Sequence, residues 1–238
     1  MGLKNVVSAE AGKLRTLPAV TMTAIVTVTG SIVIAGALAN SASSSALETV
    51  IQMVPFLQLG PILLGILAFT QEYTGSQMST TLRATPNRAR LLAGKTTALA
   101  AAQVALAVLV ILTARCTAGI FGQGESLLPR VSEVKPLAGV AAYLVCAGMI
   151  SYGIALLARS LAASLVASLS LLLLLPPLLV SVTTYAHWLP SEAGRSLYIA
   201  DSASAGQMLT PWQAIAALAV WVALALAAGS GTLIRRDG

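Results

Sequence analysis

The sequence predicts an all-α integral membrane protein with six transmembrane helices. Apolar residues make up 57% of the chain, charged residues only 9%, and the mean hydropathy is +0.86. A soluble domain carries about 25% charged residues, so this chain cannot cover itself with a water-facing surface. Crossing the hydrocarbon core takes about 20 apolar residues in a helix. Within one transmembrane domain of residues 1–238, we predict spans at Pro18–Ala39, Val50–Phe69, Thr97–Ile120, Pro136–Ala158, Leu161–Thr183 and Pro211–Ile234.

The segment before the first span, residues 1–17, is predicted to be an amphipathic helix that lies in the membrane interface. Its apolar face is formed by Leu3, Val7, Leu14 and Leu17. Lys4 and Arg15 lie off this face, where they would meet anionic headgroups. Glu10 projects into the middle of the face, where a carboxylate needs a cationic or hydrogen-bonding partner. A local bond to Lys13 would provide one, and so would a contact with the cytoplasmic end of another helix.

Prolines interrupt the second and fifth spans. The second contains Pro55, Gly60 and Pro61, and the fifth contains Pro176 and Pro177. Proline removes a backbone donor and bends a helix, which a membrane span tolerates where its neighbours restore the lost bonds. We expect both spans to be kinked and to line any pathway through the protein. Static channels and scaffolds also contain kinked helices, so a mechanical role stays open at this point.

The distribution of Lys and Arg predicts that both termini are cytoplasmic. On this arrangement the cytoplasmic side carries Lys4, Lys13, Arg15, Arg83, Arg88, Arg90, Lys95, Arg159, Arg235 and Arg236. The outer side carries only Arg115, Arg130, Lys135 and Arg195. Arg115 falls near the outer end of the third span, where we expect its side chain to snorkel to the headgroups. Lining of a polar path is the alternative role for Arg115.

The longest outer segment is Tyr185–Thr210, which mixes apolar clusters with Pro, Gly and Ser. This composition fits two short re-entrant half-helices in front of the sixth span. Trp188, Tyr198 and Trp212 are predicted to anchor the segment in the membrane interface. His187 is the one histidine of the sequence, and we interpret it as a polar tip at the interface rather than as a ligand.

A basic, turn-containing stretch, Thr70–Thr97, separates the second and third spans. Its Gly94-Lys95-Thr96 sequence looks like the end of a phosphate-binding loop, but the full pattern needs a glycine where Ala89 stands, and a preceding strand. We therefore expect no nucleotide site here. We also predict no catalytic residues, no metal ligands and no enzymatic activity of the chain itself. The turn signal and the basic residues of the stretch suit either a docking surface for a soluble subunit or a contact with lipid headgroups.

Several features together resemble the ABC-2 type transporter permeases, which are the membrane subunits of bacterial ATP-driven exporters. They are the interfacial helix, the six-span layout, the re-entrant outer segment and the closing Arg235-Arg236-Asp237. The most specific part is the Glu72-Tyr73 pair followed by Thr81-Leu82-Arg83-Ala84-Thr85-Pro86-Asn87-Arg88. The resemblance covers nearly the whole chain.

In that family the loop after the second span carries a coupling helix that inserts into a cleft of a separate nucleotide-binding subunit. The resemblance implies that Gly75–Arg90 does so here, with Glu72 bracing its start. The implied coupling residues are Glu72, Tyr73, Gly75, Thr81, Leu82, Arg83, Thr85, Pro86, Arg88 and Arg90. This chain has Thr74 where family members often have a basic residue, which puts an ionic contact at that position in doubt.

The resemblance further implies a permease of the bacterial cytoplasmic (inner) membrane. Its partners would be two copies of a cytoplasmic ABC ATPase subunit, which bind the ATP and Mg, and a second permease, identical or homologous. No cofactor and no nucleic acid would bind this chain. The cargo would be hydrophobic or amphipathic, such as a drug, an antimicrobial peptide or a lipid. A secondary transporter and a non-transporting membrane scaffold or immunity protein remain the alternatives.

Overall fold

A computed structural model of the protein describes residues 3–41, 45–74, 88–122, 129–199 and 208–236. All regular structure in these ranges is helical, and no strand occurs in them. Six helical stretches are long and apolar enough to cross a membrane: Pro18–Asn40, Ala46–Gln71, Leu92–Phe121, Val131–Ala158, Leu161–Val180 and Pro211–Gly231. The prediction of an all-α, multi-pass membrane protein with six such helices is confirmed.

The helices are numbered in chain order. They are α1 (Leu3–Thr16), α2 (Pro18–Ser41), α3 (Ala46–Leu57), α4 (Leu59–Thr74), α5 (Arg88–Phe121), α6 (Val131–Ala158), α7 (Leu161–Leu169), α8 (Leu175–Val180), α9 (Pro190–Tyr198) and α10 (Pro211–Arg236). A π-helical turn, Ser170–Leu174, joins α7 to α8, and a 3-10 turn, Thr184–Trp188, precedes α9. Because successive spans run in opposite directions, α1 and the start of α5 lie at one end of the bundle, which we call the proximal end. The end that carries α9 is the distal end.

The second span is divided at Gln58 into α3 and α4, although Gln58 keeps helical dihedral angles (φ −65°, ψ −20°) and its backbone N–H still donates to the Val54 carbonyl. Pro55 and Pro61 flank this division, and neither has a backbone N–H to donate to the preceding turn. At the start of α3, the Ser45 hydroxyl accepts from the backbone N–H of Glu48 and the Glu48 carboxylate accepts from the backbone N–H of Ser45, which fixes the distal end of the span.

The fifth span widens before its prolines. In the π-helical turn the backbone N–H of Leu175 donates to the Ser170 carbonyl, five residues earlier. Pro176 and Pro177 follow at once, and because they cannot donate, the regular pattern of the preceding turn cannot continue through them. Single π-helical turns of this kind often accompany functional sites in helices. In the second and fifth spans the prolines thus accompany a division of the helix, whereas Pro136 lies inside the continuous helix α6.

The helix α6 is the centre of the bundle and packs against α4, α9 and α10. Its crossing with α4 depends on glycine, because a Cβ atom added to Gly65 would lie 2.2 Å from the Gly148 backbone oxygen. Membrane helices approach closely where both carry small residues. Tyr143, Leu144 and Tyr152 of α6 are all buried in the same core.

Replacing Gly65 with alanine is expected to destabilise the protein by about 1–3 kcal/mol, because the new methyl group meets backbone that cannot move aside without separating α4 from α6. Gly30 is the matched control, since it also lies inside a span and a Cβ there meets nothing within 4 Å. Gly30→Ala should be neutral or slightly stabilising. Thermal unfolding of both variants in one detergent measures the difference, and equal midpoints would contradict the packing argument.

Three spans lie in helices that start earlier than predicted. The second-span helix α3 starts at Ala46 rather than at Val50, the third-span helix α5 at Arg88 rather than at Thr97, and α6 at Val131 rather than at Pro136. In each case charged residues lower the hydropathy of the first turns without opposing helix formation, since Lys, Arg and Glu are good helix formers. Arg88 and Arg90 therefore belong to the helix of the third span and not to a separate loop segment.

Candidate functional site

A buried ion pair links the N-terminal helix to the third span at the proximal end. The Lys95 Nζ atom of α5 lies 3.4 Å from one carboxylate oxygen of Glu10 in α1, and the Lys13 Nζ atom lies 3.7 Å from the other. The side chains of Glu10 and Lys95 are only 8% and 10% exposed, whereas that of Lys13 is 34% exposed. The local bond and the contact with another helix, the two alternatives for Glu10, are thus both present.

The position of Lys95 differs from expectation. Contact with lipid headgroups was one of the two roles expected for the basic residues of Thr70–Thr97. Lys95 is instead buried, because Glu10 neutralises it within the protein. The residues Gly94, Lys95 and Thr96 also lie inside a continuous helix, and the Thr96 hydroxyl donates to the Leu92 carbonyl of the same helix. A helix interior has no free backbone N–H groups to cradle a phosphate, so this geometry favours no nucleotide site at Gly94–Thr96.

The predicted coupling residues come shortly before Lys95 in the chain. Glu72 and Tyr73 belong to the last turn of α4, and Arg88 and Arg90 to the first turn of α5. Lys95 follows Arg88 by about two turns of that helix. The remaining predicted coupling residues, Gly75, Thr81, Leu82, Arg83, Thr85 and Pro86, lie outside the described residues. Of the two helices that enter and leave the predicted docking segment, α5 is ion-paired to α1.

A cavity of about 490 Å³ opens at the distal half of the bundle, where the second and fifth spans face each other. Its walls combine apolar side chains of the second and fifth spans with polar side chains of α9. The lining consists of Ile51, Gln52, Val54, Pro55, Gln58, Tyr143, Leu172, Leu173, Pro176, Pro177, Ser191, Glu192, Arg195, Tyr198 and Ile199. A mainly apolar cleft of this size, with a few polar groups at one end, is the usual form of a small-molecule site.

Three of the five predicted kink residues meet at this cavity: Pro55, Pro176 and Pro177. Gly60 and Pro61 do not line it. Gly60 instead packs against the first span, where an added Cβ atom would lie 2.3 Å from the Thr27 hydroxyl. The carbonyl of Pro61 accepts a hydrogen bond of 3.0 Å from the Gln103 side chain of α5.

Two buried glutamines, Gln58 and Gln103, connect the second span to its neighbours, and neither was predicted from the sequence. The Gln58 side chain accepts a hydrogen bond from the Tyr143 hydroxyl of α6, and Gln103 of α5 donates to Pro61. These bonds connect the second span to two different neighbours, to α6 through Gln58 and to α5 through Gln103. A glutamine at membrane depth is itself a signal, because it needs a partner within the bundle.

The polar end of the cavity comes from α9. Glu192 and Arg195 lie one turn apart, with 3.9 Å between the guanidinium and the carboxylate. Tyr198, expected to be an interfacial anchor, is 8% exposed and packs against Tyr143, with ring centroids 6.2 Å apart. Burial raises the pKa of Tyr198, and the Glu192 carboxylate acts in the same direction while Arg195 opposes it. The phenol therefore stays neutral at physiological pH.

The other predicted anchors, Trp188 and Trp212, are 48% and 69% exposed. The indole N–H of Trp221 donates to the Trp188 carbonyl over 2.9 Å, which attaches the 3-10 turn to α10. The predicted pair of half-helices corresponds to this turn and α9 as far as residue 199, and residues 200–207 lie outside the described part of the chain. Their depth in a bilayer stays a prediction.

Arg115 does not snorkel. Its residue is 1% exposed, and its guanidinium Nε and Nη2 atoms donate to the same Glu133 carboxylate oxygen over 3.1 and 2.6 Å. That oxygen also accepts from the backbone N–H of Arg130, over 3.2 Å. The expectation failed because α6 begins at Val131, which places Glu133 in its first turn instead of in an outer loop. This buried pair fastens the distal end of α5 to α6.

No protein-family model matches the chain, and no characterised protein is similar enough in sequence to count as a relative.

Proposed function

We propose that this chain is the permease subunit of an ABC exporter in a bacterial cytoplasmic membrane, with both termini in the cytoplasm. A second permease, identical or homologous, would complete the translocation path. Two cytoplasmic ATPase subunits would supply the energy by binding and hydrolysing ATP. The cargo would be hydrophobic or amphipathic, since the distal cavity has mostly apolar walls.

The observation that carries this proposal is the buried Glu10–Lys95 pair. Gly75–Arg90 is the predicted docking element, and α5, which begins at Arg88, runs from it as an unbroken helix to the distal end. Lys95 bonds this helix to α1 about two turns after Arg88. A partner that moves the segment would therefore move the start of α5, and α1 with it.

The distal cavity supports the same proposal from the other end of the bundle. Its walls include the second span at Pro55 and Gln58 and the π-helical turn of the fifth span. Helices with such irregularities can change shape by small backbone adjustments, whereas tightly packed regular helices resist them. A transport path that opens and closes needs walls made of helices that can change shape.

Replacing residues 81–88 with a Gly-Ser segment of equal length tests the proposal. Affinity purification of the unaltered chain from its native host should retain a P-loop ATPase, and the replacement should lose it while the spans still insert in the membrane. The replacement should also abolish ATP-dependent transport in reconstituted vesicles. Absence of any ATPase from the unaltered preparation, together with unchanged transport by the altered chain, would contradict the permease function.

A further inference from the structure

We infer that the distal cavity binds an amphipathic amine, whose protonated head is held at Glu192 and whose apolar body lies against the prolines of the second and fifth spans. The inference rests on the proposed function in taking this ligand as the cargo. Binding itself requires no ATPase. Three features of the cavity support this ligand: its apolar wall, the more buried position of Glu192 in the Glu192–Arg195 pair, and the hydroxyl groups of Ser191 and Tyr198 in the lining.

The apolar wall defines the body of the ligand. Val54 and Pro55 of the second span and Leu172 and Pro176 of the fifth line the cavity. Val54, Leu172 and Pro176 are buried residues, so the wall is part of the packed bundle and not a loose surface. A volume of about 490 Å³ falls within the range of small-molecule sites, about 300–1,000 Å³. A hydrocarbon chain that binds there would move from water or lipid headgroups into surroundings as apolar as itself.

Both members of the Glu192–Arg195 pair line the cavity, and the acid is the more buried of the two. The Glu192 side chain is 16% exposed, whereas the Arg195 side chain is 53% exposed. Their 3.9 Å separation and the exposure of the arginine make this a weak pair. A cation that enters the cavity therefore meets a partly buried acid that its arginine neutralises only weakly.

Two hydroxyl groups of the same lining, those of Ser191 and Tyr198, are the further acceptors that the cavity offers to a head group. The Ser191 hydroxyl oxygen is buried and has no hydrogen-bond partner within the described residues. A buried hydroxyl left unsatisfied is costly, so a ligand that donates to it would remove the penalty. Tyr198 is neutral and lines the same end. The Tyr143 hydroxyl is already bonded to Gln58 and is not available. An ammonium group has three donors, matching Glu192, Ser191 and Tyr198.

Other ligand classes fit less well. A divalent metal would need several oxygen ligands, and the described part of the chain has no group of three or more His, Cys, Asp or Glu residues placed to hold one. An anionic amphipath would bring its charge to Glu192 and would find its partner, Arg195, mostly in solvent. A neutral amphipath would leave the carboxylate with the weak Arg195 pair as its compensation. The cationic amphipath satisfies every group named above.

The test uses the purified full-length chain in lipid nanodiscs, with signals from empty nanodiscs subtracted. Octylamine is the probe, and octanol and octanoate are its neutral and anionic controls of equal chain length. By calorimetry at neutral pH, octylamine should bind about 10-fold more tightly than octanol, as expected when a charge-assisted hydrogen bond is added. Octanoate should bind more weakly than either.

Glu192→Gln should remove this preference by weakening octylamine about 10-fold without changing octanol, since the amide keeps the shape of the side chain. Arg195→Gln removes the partner that competes with the ligand for the carboxylate, and it should tighten octylamine binding. Equal affinities of the unaltered chain for octylamine and octanol would overturn the inference, and so would octylamine binding that is insensitive to Glu192→Gln. Since no ATPase is present in the assay, such a result would leave the permease function standing. Conversely, loss of ATPase association would not affect the amine preference.

Discussion

Replacing Arg115 with methionine is expected to lower the free energy of unfolding by about 3–5 kcal/mol, because one half of a buried ion pair is left behind. The Glu133 residue is 7% exposed, and without the guanidinium its carboxylate keeps the backbone N–H of Arg130 as its donor within the described residues. A buried charge with so few partners is poorly stabilised. Thermal or denaturant-induced unfolding in detergent, followed by circular dichroism, measures the loss.

Two further variants separate the buried pair from general effects of removing charge. The double variant Arg115→Met/Glu133→Gln should recover most of the stability, because it buries no uncompensated charge and glutamine can still accept from the Arg130 N–H. Lys135→Met removes an exposed charge from the same turn of α6 and should change stability by less than about 0.5 kcal/mol. The account of this pair fails if Arg115→Met is no less stable than Lys135→Met.

The second large effect is expected at Lys95. In a complex with the ATPase that we propose as its partner, Lys95→Met should reduce transport per ATP hydrolysed about 5–150-fold, the range expected when a coupling energy of about 1–3 kcal/mol is lost. The physical reason is that α1 would no longer be bonded to the helix that leaves the docking segment. Parallel measurements of ATP hydrolysis and of transport in proteoliposomes give the ratio directly.

Lys13→Met is the matched control for this prediction, since Lys13 also contacts Glu10 but is much more exposed. Its effect on the ratio should be small, as for other exposed ion pairs. Exchanging the charges in Glu10→Lys/Lys95→Glu should restore much of the coupling that either single change removes. If the exchange restores nothing and Lys13→Met is as harmful as Lys95→Met, the Glu10–Lys95 pair is not the link between α1 and α5.

The fold class could be predicted because hydropathy measures the free-energy cost of placing each residue in hydrocarbon. This cost can be summed along a single span without knowing what the span packs against. The proline positions also indicated where helices would be irregular, since a missing N–H is a local property. The amphipathic pattern of the N-terminal segment singled out Glu10 as an acid that needed a partner. All three predictions use information that lies within one turn or one span of the sequence.

The pairing of charges could not be predicted in the same way. Arg115 was expected to reach the headgroups because hydropathy treats each charge alone, whereas Glu133 comes close only after α5 and α6 have packed. Tyr198 was expected to be an anchor from its place near the interface, but α9 turns it toward Tyr143. The cavity likewise depends on two spans distant in sequence and on α9, so no local pattern could outline it.

We propose that a separate ATPase acts on this chain at the segment between Glu72 and Arg90. A photoreactive amino acid in place of Arg83, activated by light in native-host cells, tests this contact directly. Val131, at the distal end and 92% exposed, is the control position. The account predicts a covalent adduct with a P-loop ATPase from position 83 and none from position 131. Adducts from position 83 that contain only lipid, or an ATPase captured equally from both positions, would contradict it.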